Sequence, residues 1–292
     1  MSKKFSIDII IPSVKGSALL AKNLPQVLKY SKEANQIIVV DDGKDSATQT
    51  LLSQKFPQVK IVTNDQNLGF PKSVNKGFQE SKADLIVLLN NDVLPEENYL
   101  KNALKHFKNK KVFAVTFNEK HSSYPVVSWG KGKLQFIEGQ DKSATRYSAW
   151  ASGGSAIFRK KVWDKLNGFN ELYSPGYWED IEIGWRAWKA GYQIIWEPSA
   201  KVIHEHESTF KKLDPNFVSL IKQRNELLFT WQNITSLPFR LSHLWFLFSH
   251  TLTHLGYLKI FLAAFTKYHK LKKIKFKKLS DKKILAKVNG KV

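Results

Sequence analysis

The stretch Leu-Ile-Val-Leu-Leu-Asn-Asn-Asp at residues 85–92 constrains the fold of this chain more than any other segment. Five consecutive apolar residues are typical of a strand that is buried on both faces. The run ends abruptly in three polar residues, the last of which is Asp92. Because ligands of open α/β sheets bind at the carboxyl ends of the strands, an acid at this point can hold a hard cation, and the cation can hold a diphosphate.

Apolar segments alternate with helical patterns from residue 5 to about 118. The predicted strands are Ile7–Ile11, Gln36–Val40, Val59–Val62, Leu85–Leu89 and Val112–Phe117, and the helical patterns lie near 18–31, 46–55, 72–81 and 97–107. This order predicts an α/β fold with a mostly parallel sheet and helices on both faces. Residues 119–150 predict a long loop or irregular hairpin, after which a strand near 155–158, helices near 160–166 and 178–190, and a short strand at 202–204 follow.

The composition is that of a globular protein, with 292 residues of which 42% are hydrophobic and none is cysteine. The lack of cysteine excludes disulfides, thiolate metal sites and cysteine nucleophiles, and it fits a reducing compartment. The net charge of +21 is concentrated at the end of the chain, where residues 267–292 contain eleven lysines and one acid. Such a tail binds nucleic acid, binds an anionic membrane or stays solvated.

The chain reads as helix from about residue 214, and an apolar stripe precedes the lysines. Its members recur mostly at steps of three and four, namely Leu241, Leu244, Trp245, Phe248, Leu252, Leu255, Leu258, Leu262 and Phe265. Ser242, His243, Ser249, His250, Thr253 and His254 occupy the other face. We interpret the stripe and the lysines as an amphipathic helix that lies on an anionic membrane surface. A transmembrane span stays open, but the histidines and hydroxyls disfavour it.

Two acidic turns follow predicted strands. The carboxylates of Asp41 and Asp42 could accept an N–H of a nucleobase or a ribose hydroxyl, or they could simply stabilise a turn. Asp92 could bind Mg²⁺ or Mn²⁺ together with substrate phosphates, or the Asn-Asn-Asp segment could cap the helix that follows.

A third acidic segment opens the helix near 178–190. Trp178, Ile181, Trp185 and Trp188 share a face that should pack inward, and Glu182 and Arg186 can form an i,i+4 pair. Glu179 and Asp180 then lie in the first turn, where acids favour the helix dipole or serve as a general base. His204 and His206 follow a strand and point to the same side if the chain stays extended, so either could bind a metal or lie on the surface.

These segments, in this order, resemble the inverting family 2 glycosyltransferases with the GT-A fold, and among them the rhamnosyltransferase-like members. The likeness covers residues 5 to about 210 and is carried by Ile9–Pro12, Val39–Gly43, Asn67–Phe70, Leu88–Asp92, Gly153–Ala156, Trp178–Arg186 and Val202–His204. The resemblance implies a Rossmann-like sheet and transfer of a sugar from a UDP- or dTDP-sugar to a saccharide or lipid-linked saccharide, in the synthesis of a surface polysaccharide.

The resemblance also implies roles for individual residues. Asp180 would be the catalytic base, and Asp92 would bind Mg²⁺ or Mn²⁺ with His204 or His206 as a further ligand. The donor nucleotide would contact Asp41, Asp42, Asn67, Gly69, Asn90 and Asn91. The acceptor cleft would contain Gly153, Gly154, Trp178 and Glu179.

The expected organisation is a catalytic domain over residues 1–235 and a membrane-associated helical and Lys-rich segment over 236–292. We expect a cytoplasmic protein that is peripheral at the inner face of the cell membrane and does not bind nucleic acid. The alternatives are another nucleotide-binding α/β enzyme, such as a nucleotidyltransferase, and a basic nucleic-acid-binding protein. The first lacks a G-x-G-x-x-G or Walker pattern after strand one, and the second lacks a recognised binding motif.

Overall fold

The computed structural model describes residues 5–120, 122–205, 213–272, 275–290 and 292. The strands are β1 (Ile7–Ser13), β2 (Gln36–Asp42), β3 (Lys60–Asn64), β4 (Leu85–Leu89), β5 (Val93–Pro95), β6 (Val112–Glu119), β7 (Pro125–Gly130), β8 (Lys133–Glu138), β9 (Arg146–Tyr147), β10 (Ser155–Arg159) and β11 (Gln193–His204). The α-helices are α1 (Ser17–Tyr30), α2 (Ser46–Lys55), α3 (Phe70–Glu80), α4 (Tyr99–Leu104), α5 (Lys160–Leu166), α6 (Glu179–Lys189), α7 (Pro215–Asn233), α8 (Leu237–Thr253), α9 (Tyr257–Phe265) and α10 (Asp281–Val288). Short 3-10 turns cover Lys105–Lys108, Glu171–Tyr173 and Tyr268–Lys270.

The main sheet has the strand order β3-β2-β1-β4-β10-β6-β11-β5, with β9 beside β11. Parallel pairs join β1 to β2 and β4, β2 to β3, and β6 to β11. β10 runs antiparallel to both of its neighbours, and β5 and β9 run antiparallel to β11. Six of these strands therefore point the same way, which confirms the predicted α/β fold with a mostly parallel sheet.

Helices cover both faces of the sheet because successive strand residues point to opposite sides. In β1, Ile9 and Ile11 pack in one apolar layer with residues of α1 and α4, while Ile10 packs in the other with residues of α3, α5 and α6. All three isoleucines are buried. The long apolar runs of the sequence thus reflect strands that are buried on both faces.

Residues 122–150 contain the hairpin β7–β8 and the short strand β9. Of the two predicted alternatives, a long loop or an irregular hairpin, the hairpin is present, and its two strands pair without a register shift. The last strand is longer than the sequence predicts: β11 begins at Gln193, and its register with β6 shifts between Glu197 and Lys201. The polar and proline residues near this shift interrupt the apolar pattern of β11. The sequence therefore predicted a strand only at 202–204.

The C-terminal apolar stripe lies on two helices, α8 and α9, and on the short connection between them, rather than on one helix. α8 packs on the protein through its polar face: Trp129 donates a hydrogen bond from Nε1 to Ser242 Oγ at 2.9 Å, and His243 is buried with Nδ1 2.7 Å from the Gly132 carbonyl oxygen. The apolar side chains of the stripe face outward, with Trp245 68% exposed. Across the described ranges, no helix has the length and apolar character needed to cross a bilayer.

The lysine-rich end of the chain returns to the main core. Ile284 and Val288 of α10 are fully buried, and Asp281 forms a buried ion pair with Lys189 of α6 at 2.6 Å. The predicted division after residue 235 therefore separates residues that share one core. A tail made only of solvated lysines would not show this packing.

Candidate active site

The carboxyl ends of the parallel strands bring the predicted polar residues to one edge of the sheet. Asp42 ends β2, Asp92 follows β4, Glu119 ends β6 and His204 ends β11. Because β10 is antiparallel, it begins at the edge where its neighbours end, and Gly153 and Gly154 immediately precede it. The topology alone thus collects residues that are more than 150 positions apart in the sequence.

Asp92 and His204 form the buried centre of this edge. His204 Nε2 lies 3.2 Å from Asp92 Oδ1, and His204 Nδ1 lies 3.2 Å from Glu119 Oε2. Burial lowers the pKa of His204, but its bonds to the two carboxylates more than offset that effect and raise the pKa to about 9. His206, the competing metal candidate, lies outside the described residues.

The donor set around Asp92 fits a hard divalent cation. Asp92 is 1% exposed; its Oδ1 faces His204 Nε2, whereas its Oδ2 has no partner among the described residues. A buried carboxylate with an unpartnered oxygen is a ligand type that Mg²⁺ and Mn²⁺ accept, and the neighbouring imidazole of His204 can ligate a metal once it has lost its proton. Within the described ranges, no group of three or more His, Cys, Asp or Glu side chains is placed to hold a metal ion, so further ligands would come from substrate phosphates or water.

Asp42 holds the loop that precedes α3. Its Oδ1 accepts hydrogen bonds from Leu68 N at 2.8 Å and Asn64 Nδ2 at 2.9 Å, and its Oδ2 accepts one from Gly69 N at 3.0 Å. A carboxylate has about four acceptor positions, so one remains for a ligand. Asn67 supports the same turn, since its Oδ1 accepts a second bond from Gly69 N.

The neighbouring Asp41 has the less satisfied carboxylate. Its Oδ2 accepts a hydrogen bond from Asp45 N at 2.9 Å, whereas its Oδ1 is buried without a partner among the described residues. Burial raises the pKa of Asp41. Of the two neighbouring acids that the resemblance assigns to the donor nucleotide, Asp41 therefore has, within the described part of the chain, a free carboxylate oxygen, whereas Asp42 already accepts three hydrogen bonds.

The two asparagines before Asp92 connect β4 to its surroundings. Asn91 donates from Nδ2 to Ser13 Oγ at 2.9 Å, at the end of β1. Asn90 donates its backbone N–H to the Gly154 carbonyl at 2.8 Å, and a Cβ at Gly154 would lie 2.3 Å from Asn90 Nδ2. Glycine is therefore needed at 154 because the Asn90 amide occupies the space of any side chain there.

Asp180 lies in the first turn of α6, partly exposed and directly beside Gly153. Its Oδ2 accepts a hydrogen bond from Gly153 N at 3.2 Å, and its Oδ1 accepts one from Ile181 N at 2.8 Å. Burial raises the pKa of Asp180 to about 6, although these backbone N–H groups oppose the shift. Burial and the charge of Asp180 raise the pKa of Glu179 well above its ordinary value. Asp180 is thus the more acidic of the two carboxyls and ionises at neutral pH.

Phe70 joins the Asp42 loop to the Asp180 loop. Phe70 N donates to the Pro175 carbonyl at 3.0 Å, and its ring would lie 3.4 Å from a Cβ placed on Gly153. Gly69, at φ +83°, lies so close to Pro175 that a Cβ would be 3.1 Å from the Pro175 Cα. Hydrogen bonds and contacts therefore link Asp42 to Asp180 through Gly69, Phe70 and Gly153. Asp92 reaches the same loop through His204, Glu119 and Ser152.

Two cavities open beside these acids and share aromatic walls. One, of about 430 Å³, is lined by Asp180, Glu179, Trp178 and Lys222. The other, of about 340 Å³, is lined by Glu119, Ser152 and Trp196. Phe136 of β8 and Trp150 line both cavities. This arrangement provides a concave surface of aromatic rings next to a carboxylate, as sugar-sized polar ligands require.

The helix that carries Asp180 packs against the core through the face that the sequence predicts. Trp178, Ile181, Trp185 and Trp188 are all buried. Arg186 donates to both carboxylate oxygens of the fully buried Glu182, at 2.7 and 2.6 Å, which confirms the predicted pair. Tyr177 and Trp178 both have positive φ, +70° and +76°. Residues other than glycine rarely adopt a positive φ, so the backbone just before α6 is strained, as is common at functional sites.

Several residues of the site were missed in the sequence. Glu119 fell in the predicted loop, although a polar residue at the end of β6 is the same indication that identified Asp92. Phe136, Trp150 and Lys222 could not be found from local patterns, because they reach the cavity from a hairpin, a loop and a distant helix.

Comparison with known proteins supports the resemblance. A sequence model described as "Glycosyltransferase like family 2" matches residues 6–218. The chain is 25% identical over 211 residues to the poly-beta-1,6-N-acetyl-D-glucosamine synthase of Staphylococcus aureus (strain COL). That match covers 66% of this chain and 48% of the synthase, so the chain spans about half the length of this curated relative.

Solved structures share the fold. GalNAc-T7, solved with UDP, GalNAc and Mn²⁺, gives a TM-score of 0.65 at 13% identity over 80% of this chain and 48% of that one. The mannosyltransferase PcManGT from Pyrobaculum calidifontis, solved with GDP-Man and Mn²⁺, gives 0.59 at 13% identity over 92% of this chain and 88% of that one. At this identity the likeness shows the GT-A fold alone. Because the family model covers more than half of its residues, the chain belongs to the glycosyltransferase-like family 2.

Proposed function

We propose that this protein transfers a sugar from a nucleoside-diphosphate sugar to a hydroxyl group with inversion at the anomeric carbon. The observation that carries the proposal is the position of Asp180, a partly exposed carboxylate beside an aromatic cavity of about 430 Å³ and in contact with the Gly153 turn. The family relationship supports the reaction class. The similarity to a polysaccharide synthase, and to two structures solved with UDP or GDP-Man, supports a sugar nucleotide as donor and a polysaccharide as product.

Asp180 takes the role of general base. A hydroxyl group is a poor nucleophile until a base removes its proton, and a carboxylate whose pKa is about 6 is ionised at neutral pH while still a competent base. The hydroxyl oxygen attacks the anomeric carbon as the bond to the diphosphate breaks, and the proton passes to Asp180. Attack from the side opposite the diphosphate inverts the configuration, so no sugar–enzyme bond is formed.

Asp92 and His204 are the residues that would hold Mg²⁺ or Mn²⁺. When bound, such a cation offsets the negative charge that grows on the leaving diphosphate. The buried Oδ2 of Asp92, which has no partner among the described residues, supports this assignment. Asp41, Asp42, Asn67 and Gly69 would receive the nucleoside, since they form the turn after β2 and its neighbouring loop.

The aromatic cavity would receive the acceptor. Trp178, Trp150 and Phe136 offer ring faces, and Lys222 adds a positive charge at the same cavity. Rings of this kind pack against the apolar faces of sugars while polar neighbours orient the hydroxyls. The acceptor is thus a saccharide, free or attached to a lipid.

Asp180→Asn tests the proposal. We expect turnover to fall about 10²–10⁴-fold while the affinity for the donor stays within about twofold, because the base acts on the acceptor. Asp164→Asn is the matched control, since Asp164 is exposed and pairs with Lys160. The measurements are initial rates with a panel of sugar nucleotides and Mn²⁺, and calorimetric donor affinities. Near-normal turnover of Asp180→Asn would remove Asp180 from its role.

We also propose that α8 and α9 lie on an anionic membrane surface. α8 turns its hydroxyl and imidazole groups toward the protein and its apolar side chains outward, with Leu244 60% and Phe248 59% exposed. Water does not favour this arrangement, whereas the boundary between headgroups and acyl chains does. A membrane position would place the aromatic cavity close to a lipid-linked acceptor.

Vesicle flotation tests the membrane proposal. Trp245→Ser/Phe248→Ser should lose most binding to anionic vesicles, because both side chains would insert between the lipids. Leu213→Ser/Phe217→Ser is the control, as it removes two exposed apolar side chains at and near the start of α7. Equal vesicle binding by the wild type and both variants would refute the assignment of α8 and α9.

A further inference from the structure

A cavity of about 720 Å³ lies apart from the catalytic edge, between α3, the loop at 167–172 and residues of the segments 267–272 and 275–276. Five of its lining residues are lysines, namely Lys72, Lys267, Lys270, Lys272 and Lys275. Phe169 and Trp163 form part of an apolar wall. Phe70 stands between this cavity and Gly153, because its ring is 6.1 Å from that of Phe169. The cavity is therefore separated from Asp180 by packed aromatic side chains.

The positive charge of this cavity is not balanced by the protein. In the described parts of the chain, none of the five lysines forms an ion pair, while the lining Asp164 pairs with Lys160 and the lining Arg186 pairs with Glu182. Apart from Asp164, Glu171 is the other acidic residue that lines the cavity. Burial, together with repulsion from Arg224 and Lys270, lowers the pKa of Lys267 to about 8. An anion would relieve this repulsion.

The cavity begins where the exposed apolar face ends. Phe265, at the end of α9, is 57% exposed and stacks on Tyr268, which is 56% exposed. Lys267 and Lys270 belong to the same turn and line the cavity. A ligand with apolar chains on α9 and a phosphate one turn further along the chain would match both surfaces.

We propose that this cavity binds the phosphate headgroup of an anionic phospholipid whose acyl chains lie along the apolar face of α8 and α9. The inference rests on the proposed membrane association and adds to it a defined headgroup site. Lysine ammonium groups are compact point charges that bind phosphate oxygens. The cavity would thus set the orientation of the protein on the membrane and its choice of lipid, in addition to the general attraction of a basic surface.

Two matched triple variants of the full chain separate a site from general attraction. Lys267→Gln/Lys270→Gln/Lys272→Gln removes three cavity lysines, and Lys277→Gln/Lys282→Gln/Lys283→Gln removes three exposed lysines of the same segment outside the lining. General attraction lowers vesicle affinity by roughly fivefold for each lysine in either variant. A site adds about a further tenfold or more to the loss in the cavity variant, which corresponds to one charge-assisted hydrogen bond.

The assay is flotation with phosphatidylcholine vesicles that contain phosphatidic acid or phosphatidylserine at equal surface charge. We expect the wild type and the lysine control to prefer phosphatidic acid, and the cavity variant to lose that preference. Equal losses in the two triple variants would overturn the site while leaving the membrane proposal intact. If neither the wild type nor the variants bind vesicles, both the headgroup site and the membrane proposal are overturned.

A soluble headgroup distinguishes lipid from free phosphate. Glycerol 3-phosphate should compete only at concentrations far above those of the lipid, because it lacks the acyl chains that contact α9. If it raises the melting temperature of the wild type but the vesicle affinities of the two triple variants are equal, the cavity binds free phosphate and the lipid assignment is wrong. Sugar transfer to a soluble acceptor should be unchanged in both triple variants. If the wild type itself transfers no sugar, the glycosyltransferase proposal fails, whatever the vesicle assay shows.

Discussion

Replacing Asp281 by alanine should destabilise the whole domain, although this residue lies in the lysine-rich end of the chain. Asp281 is fully buried, and its carboxylate forms an ion pair with Lys189, which is 1% exposed. The same carboxylate accepts hydrogen bonds from the backbone N–H groups of Thr235 and Ser236, each at 2.7 Å. It thus connects α6, the turn before α8, and α10.

The expected loss follows from what the substitution leaves behind. Lys189 would remain as a buried ammonium without its carboxylate, and two backbone N–H groups would lose their acceptor. Breaking a buried ion pair by removing one partner costs about 3–5 kcal/mol, which is a large part of a total stability of about 5–15 kcal/mol. For a chain of this length the melting temperature should fall by about 5–8 °C.

Urea unfolding of the wild type, Asp281→Ala and the exposed control Lys282→Gln measures this loss. Burial opposes ionisation of Asp281, but the bonds from Lys189, Ser236 and Thr235 more than offset it and lower its pKa. A lowered carboxyl pKa gives stability that is fully present above the unfolded value of about 3.9 and is lost as the pH falls through the folded value. The difference between wild type and Asp281→Ala should therefore shrink in acid. A loss under about 1 kcal/mol at pH 7 would show that α10 is not part of the cooperative unit.

Three further outcomes can be measured. With Asp180 as the base, kcat/KM should fall about tenfold for each pH unit below about 6, because the base must be ionised; a flat profile down to pH 5 would contradict this. Asp92→Ala should abolish the rise in melting temperature on adding Mn²⁺ with a sugar nucleotide, whereas the exposed Asp65→Ala should keep it. Gly77→Ala should cost about 1–3 kcal/mol, because its Cβ would lie 2.5 Å from Ile10 Cγ2, while Gly256→Ala, with nothing within 4 Å, should be nearly neutral.

Local patterns were sufficient for the sheet and for most of its polar edge. Parallel strands that are buried on both faces are near-continuous apolar runs, so β1, β2 and β4 stand out, and the polar residues where these runs end mark the edge where ligands bind. Asp42 and Asp92 could be identified for this reason. Trp178 and Trp185 were predicted to face inward because helical spacing fixes which side chains share a face.

The acceptor side could not be predicted in the same way. Phe136 and Lys222 reach the cavity of Asp180 from β8 and α7, which are separated from α6 by many residues. No periodicity relates such positions, because their proximity depends on how whole elements pack. Glu119 was missed for a simpler reason, since β6 continues two residues beyond its apolar run.

The sequence by itself determined the α/β alternation, the acids at the strand ends and the family, because each depends on the order of residues along the chain. Only the tertiary structure decided that α8 packs its polar face inward, that α10 returns to the core through Asp281, and that lysines of distant segments surround one cavity. A hydrophobic stripe shows that a helix has two faces. Which face meets the protein depends on the hydrogen-bond partners that the rest of the fold provides.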